Sequence, residues 1–288
     1  MESQSPVNRR QFGAELRRLR KNAGLQQDEV AEKLETSTTR ISRMETGKGR
    51  LKVDPDEVRA LCQLYGVTDL RQVERMVDMG ANTQLPGWWD QYRDVLPSGL
   101  EVLVSMETAA VSVRAWEPCL VPGLLQTSAY ARAVIQAAAS TRPGDVADMV
   151  AVRERRQQTI TEPVGREPLE LWAIMDEAVI RRPVGGVAVM REQLAHLVDL
   201  GRQPHVTLQV VPQSKGAHPG LGGAFSLLEF EAEPAVTYID SPGGNLYLEK
   251  RSDVRSFAAT FDLLRASALD PDDTEALLHR ASEEMQHV

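Results

Sequence analysis

Along the first eighty residues, apolar positions recur at helical spacing. Phe12, Leu16, Leu19 and Ala23 fall on one side of a helix whose other sides carry Arg17, Arg18, Arg20 and Lys21, and Gly24 follows as its C-terminal cap. Val30, Ala31 and Leu34 mark a second, shorter helix over 26–34. Ser37 is placed to cap a third, with Ile41 and Met44 on its inner side. Asp54-Pro55-Asp56-Glu57 reads as a capping box with proline at the first helical position, opening a fourth helix through Val58, Leu61, Cys62 and Tyr65 to Gly66. A fifth runs from about residue 69 to 79 and stops at Gly80. Five short helices in residues 1–80 predict a compact all-α domain.

The texture then changes. Residues 81–100 hold Pro86, Gly87, Pro97 and Gly99 around WWDQY and read as a connector with an aromatic anchor. Beyond them, AVSVRAW (110–116), LELWAIM (169–175), VTLQVVP (206–212), AFSLLEF (224–230), AVTYID (235–240) and LYLE (246–249) are β-branched or alternating runs bounded by turn residues. Helical patterns lie between and after them, at about 127–139, 145–160, 186–201, 250–267 and 272–284. The predicted fold class is a five-helix N-terminal domain followed by a larger mixed α/β domain over 101–288.

Charge sharpens that division. Residues 1–52 hold 12 Lys/Arg against 7 Asp/Glu, whereas residues 53–288 hold 21 against 34, for a net charge of −8 overall. A basic module is attached to an acidic body. Two widely spaced cysteines, Cys62 and Cys119, form neither a zinc pattern nor a disulfide framework. The N-terminus lacks the apolar core of a signal peptide, and no run approaches the length of a membrane span. These features predict a soluble cytoplasmic protein without a membrane partner.

The basic module has a directed polar face. On a helical wheel of the third helix, Ile41, Met44 and Glu45 cluster on one side. Thr39 and Arg43 point the opposite way, flanked by Ser42 and Arg40, with Thr38 nearer the edge. The preceding short helix and tight turn complete a helix-turn-helix, whose second helix can enter the major groove of DNA. Arginine can grip a guanine edge bidentately, and threonine offers a hydroxyl and a methyl to thymine. The candidates for base reading are therefore Thr38, Thr39, Arg40 and Arg43. Gln27, Ser42, Thr46, Lys48 and Arg50 are candidates for backbone contact. One such module covers a half-site, which predicts a homodimer on an inverted repeat of double-stranded DNA with half-sites about 34 Å apart, or a multiple of that.

LQQDEVAEKLETSTTRISRMETGKGR resembles the helix-turn-helix of lambda-type repressors, the xenobiotic-response-element family, over residues 10 to about 66. The resemblance implies base contacts from the positions of Thr38, Thr39 and Arg43. It implies backbone contacts from Gln27 and from the loop of Thr46 to Arg50. Where that family has a turn glycine, this chain has Glu35, which must accept left-handed backbone or bend the turn differently.

The larger domain carries no Gly-x-Ser-x-Gly elbow, phosphate loop, His-Glu-x-x-His or dinucleotide fingerprint, and the histidines at 196, 205, 218, 279 and 287 share no metal spacing. No enzyme, metal or cofactor is expected. Trp88, Trp89, Trp116 and Trp172 read as core or interface residues. The polar strand-end cluster of Asp176, Glu177, Arg181 and Arg182 is either a salt-bridged turn or a binding site. Trp116 and Glu117 in WEPCLVPG, and His218 in GAHPGLGG, are the other candidates for a ligand or partner. In order, GWWDQY, WEPCLVPGLLQTSAYARAVI, VRERRQQ, DEAVIRRPVGG, PHVTLQVVPQSKGAHPGLGGAFSLLEF and YIDSPGGNLYLE are similar to the antitoxin-like C-terminal domain of a group of actinobacterial regulators. That resemblance implies a transcription factor, often paired with a small partner protein from a neighbouring gene. The expectation is a regulator whose C-terminal domain answers a small-molecule effector or that partner. The alternative is an antitoxin-like protein that neutralises a small partner, with DNA binding secondary.

Overall fold

A computed structural model describes residues 6–47, 52–83, 87–97, 99–139, 141–161, 167–231, 234–240 and 244–285. The chain divides into two compact units, residues 1–93 and 94–288. The WWDQY segment forms a short 3-10 turn, Trp88–Tyr92, inside the first unit. The stretch read as a connector is thus shared between the two.

The first unit consists of α1 (Pro6–Asn22), α2 (Gln27–Lys33), α3 (Thr38–Thr46), α4 (Pro55–Leu64) and α5 (Leu70–Asn82). Their apolar stripes meet in one core built on Phe12, Leu16, Val30, Ile41, Val58 and Leu61. Burial of these stripes holds helices this short, since isolated helices of seven to ten residues are marginal in water. Gly13 is what lets α1 lie directly on α3: a Cβ there would sit 2.4 Å from the Met44 carbonyl oxygen. Gly80 does not stop α5, which continues to Asn82. Its role is packing, because a Cβ at Gly80 would press on Val53 and Val58 at 3.1 and 3.2 Å. Helix α5 ends instead where the Thr83 hydroxyl donates to the Gly80 carbonyl.

The second unit comprises α6 (Leu100–Ala109), β1 (Ser112–Glu117), α7 (Ser128–Ala137), α8 (Val146–Thr161), β2 (Glu170–Asp176), α9 (Glu177–Arg181), α10 (Val187–Gly201), β3 (Val206–Val211), β4 (Phe225–Glu229), β5 (Val236–Ile239), β6 (Leu246–Leu248), α11 (Arg251–Ser267) and α12 (Pro271–Glu284). One mixed sheet runs in the order β3-β2-β1-β4-β5-β6. Strands β1, β2 and β3 are parallel, joined by helical crossovers, whereas β4, β5 and β6 continue from β1 as an antiparallel meander. Trp116, Ile174, Phe225 and Leu227 share one face with Phe261 and Leu264 of α11. Val113, Ala115, Leu171 and Ala173, of the other parity, are buried as well. A sheet covered on both faces explains the nearly unbroken apolar runs of β2 and β3. Among the described residues, no helix is long and apolar enough to cross a membrane.

Candidate nucleic-acid interface

Three residues separate the body of α2 from the cap of α3, and one of them is strained. Glu35 has φ +50°, in the left-handed region that a Cβ disfavours. The turn therefore keeps the tight geometry a glycine would give, with Thr36 donating to the Ala31 carbonyl at 2.9 Å. Ser37 then caps α3 by accepting from the Arg40 N–H at 3.1 Å.

Helix α3 buries Ile41, Met44 and Glu45 and leaves Thr38, Thr39 and Arg43 exposed. Thr39 and Arg43, four residues apart, lie on one outward face. Among the described residues none engages the Arg43 guanidinium. Arg40 behaves differently. Its Nε and Nη2 donate to the two Glu57 carboxylate oxygens, both at 2.6 Å, and Nη2 also donates to the Lys52 carbonyl at 3.0 Å. The Glu57 carboxylate holds Arg40 above the ordinary guanidinium pKa. The reciprocal capping box at the start of α4 is consequently not what Glu57 builds. Asp54 caps α4 by accepting from Asp56 N–H, while Glu57 turns to Arg40.

The backbone candidates divide as well. Thr46 is exposed, with its hydroxyl donating to the Ser42 carbonyl at 2.7 Å; Ser42 itself is half-buried. Gln27 is turned toward the interior and donates to Glu45 Oε2 at 2.7 Å. Lys48 and Arg50 lie outside the described residues. Glu45 is the hub of a buried network. Arg20 donates to both of its oxygens, at 2.5 and 2.9 Å, and to the Leu25 carbonyl at 2.6 Å. With side chains 8% and 1% exposed, this pair locks α1 and the start of α2 to the last turn of α3. An open cleft of about 680 Å³ lies beside it, bordered by Arg17, Lys21, Gly24, Gln27 and Thr38. Arg17 and Lys21 are exposed there and outnumber the one acid on the border, Asp28, so the approach to α3 from this side is cationic. The spacing of α1 puts both cations on its outer sides but gives neither a role, because a charge there looks like any solvated face. Glu57 was hidden by its resemblance to a capping residue.

In the second unit, the strand-end candidates do not converge on one site. Trp116, Asp176 and His218 come together. The Trp116 indole donates to the Gly220 carbonyl at 2.8 Å, and the His218 ring meets it edge-on at 5.2 Å between centroids. His218 Nδ1 accepts from Gly220 N–H at 3.2 Å, and Nε2 lies 3.5 Å from Asp176 Oδ2. With its side chain 4% exposed, His218 packs into the fold, so it does not face a ligand as a mobile loop residue would. Asp176 also caps α9. Glu177 accepts from Arg181 and from Gln213 N–H, and Arg181 reaches on to Glu284. The salt-bridged turn is therefore formed by Arg181. Arg182 is exposed and bridges neither Asp176 nor Glu177. Glu117 follows Trp116 on β1 and so points to the opposite face. Burial there, with Asp240 nearby and only partly offset by Arg153, pushes its carboxyl up to about 7.

A compact helical unit that presents one helix with an exposed Thr/Arg face, unpartnered among the described residues and capped and braced from behind, has the geometry of a helix-turn-helix, which supports a DNA-binding regulator. Residues 11–76 match a helix-turn-helix domain family, in keeping with that geometry. Residues 100–280, more than half of the chain, match a domain of unknown function, DUF5753, and the chain belongs to that family. No curated protein and no solved structure matches the chain.

Proposed function

We propose that the protein is a sequence-specific transcriptional regulator that inserts α3 into the major groove. Thr38, Thr39 and Arg43 meet base edges, while Arg17 and Lys21 approach the phosphates. The observation that carries this reading is the contrast within α3, with Ile41, Met44 and Glu45 buried behind an outward face whose arginine at 43 has no partner among the described residues. Two copies bind an inverted repeat, since a single reading helix contacts too few bases for useful affinity. The α/β unit binds an effector or partner and performs no catalysis. Its net negative charge turns it away from phosphates. The test is selection from a randomised double-stranded DNA library, followed by titration of the enriched sequence at several salt concentrations. Enrichment of a two-fold symmetric site, and a log affinity that falls linearly with log salt, are expected. Binding that is equal for all sequences would defeat the sequence-specific reading.

A further inference from the structure

Helix α3 carries two arginines, and they occupy different worlds. Arg40 is matched fork to fork with Glu57 of α4, and a third bond reaches the Lys52 carbonyl in the segment between the two helices. Arg43 is exposed and unengaged among the described residues. We propose that Arg40 is a positioning residue, which sets the angle of α3 against the start of α4. Arg43 is then the one arginine of α3 that reads a base. Each half-site accordingly carries a single arginine-contacted guanine. This inference rests on the DNA-binding reading above and deepens it.

The physical grounds are three. For Arg40 to reach a base edge, its guanidinium must leave two charge-assisted bonds and a carbonyl at once. The departure would also strip the Glu57 carboxylate of its partner beside a polyanion, adding repulsion where attraction is needed. Finally, the pairing uses what distinguishes arginine from lysine, a planar fork that grips both carboxylate oxygens while reaching a third acceptor. A side chain selected by its surroundings in this way orients the helix that bears it.

The experiment compares the full-length wild type with Arg40→Ala, Glu57→Gln, the double variant and Arg43→Ala. Each is selected against the same randomised double-stranded DNA library and titrated well below its melting temperature, so that loss of folded protein does not enter. Arg40→Ala and Glu57→Gln are each expected to weaken the selected site by roughly tenfold, leaving the preference at every base position unchanged. The double variant should be no weaker than Arg40→Ala, because the two act through one pair. Arg43→Ala should erase the preference at one base pair of each half-site. If Arg40→Ala lowers the melting temperature too far, Arg40→Met, which keeps the aliphatic stem, carries the same outcomes. Loss of a base preference in the Arg40 variants overturns the assignment, as does unchanged affinity. A wild type that enriches no sequence would instead sink the DNA-binding reading, and this inference with it.

Discussion

The outward side of α3 and the carboxyl ends of β1 and β2 carry the same kinds of side chain, and they are put to opposite uses. At the strand ends Asp176, Glu177, Arg181 and His218 satisfy one another, the α9 cap, a backbone N–H and a tryptophan edge. On α3, Thr38, Thr39 and Arg43 stay exposed, while the neighbouring charges of Arg40 and Glu45 are taken up behind them. Polar groups that complete one another hold a fold together. Polar groups left outward on a rigid, braced element are available to a partner. Composition alone would have ranked the two clusters alike.

The largest effect that tests this contrast lies behind the reading face. Glu45→Ala leaves the Arg20 guanidinium buried without its carboxylate, and should cost about 3–5 kcal/mol of the stability of the first unit. Denaturant unfolding followed in that unit would register it. A loss below 1 kcal/mol would mean that water or another group replaces Glu45, and that α3 is not braced as described. In the strand-end region Gly220→Ala would place a Cβ 2.4 Å from the Trp116 indole. The overpacking should cost about 1–3 kcal/mol of stability, with DNA affinity unchanged. Arg43→Ala is the mirror case. It should leave the melting temperature alone and cost about 1–3 kcal/mol of binding to the preferred site. If the two variants exchange these signatures, the division into structural and partner-facing clusters is wrong.

Much of this arrangement was legible in the residues. The five helices, the six strands and the burial of Ile41 and Met44 behind Thr39 and Arg43 follow from periodicity, since each element keeps a consistent inner face. Helix α6 was not legible, for a physical reason: Leu103, Val104, Ser105, Met106 and Glu107 are five consecutive buried residues, so apolar and polar side chains alike face inward and no inner face stands out. One of its two acids, Glu107, is hidden by pairing with Arg156, which a linear pattern cannot report. The pairing of Arg40 with Glu57 was obscured in the same way. Seventeen residues separate them, and each had a plausible local role that the tertiary contact overrode. At the strand ends, adjacency in sequence suggested one cluster, but alternation along β1 sends Trp116 and Glu117 to opposite faces.

Glu117 offers a smaller, pH-dependent test of that alternation. A carboxyl raised to about 7 in the folded chain ionises later there than in the unfolded chain. Its contribution to stability is thus fully present below the ordinary carboxylate value, and is lost as pH rises toward 7. Glu117→Gln should remove this component and make the protein less sensitive to pH between about 5 and 7, by roughly 1 kcal/mol. Melting temperatures of both proteins across that range would show it. Parallel curves would mean that Glu117 is solvated and not held on the buried face.

The smallest effect concerns the turn that aims the reading helix. Glu35 holds φ +50° with a side chain that is exposed, so its carboxylate contributes little to set against the backbone strain. Left-handed geometry costs a residue with a Cβ about 1–2 kcal/mol, and glycine adopts it without that penalty. Part of the gain is lost because glycine makes the unfolded chain more flexible. Glu35→Gly should therefore stabilise the first unit by about 0.5–1 kcal/mol. Since the turn already has the conformation glycine prefers, α3 should not change its angle, and the base preferences selected from a random library should stay the same. Removing one negative charge near DNA should strengthen binding slightly at low salt, and the gain should fade as salt screens it. A destabilised variant would show that Glu35 makes a contact worth more than its strain. A loss of affinity for the selected site as large as that expected for Arg40→Ala would show that the turn, and not only the bracing of Arg40 and Glu45, sets the angle of α3.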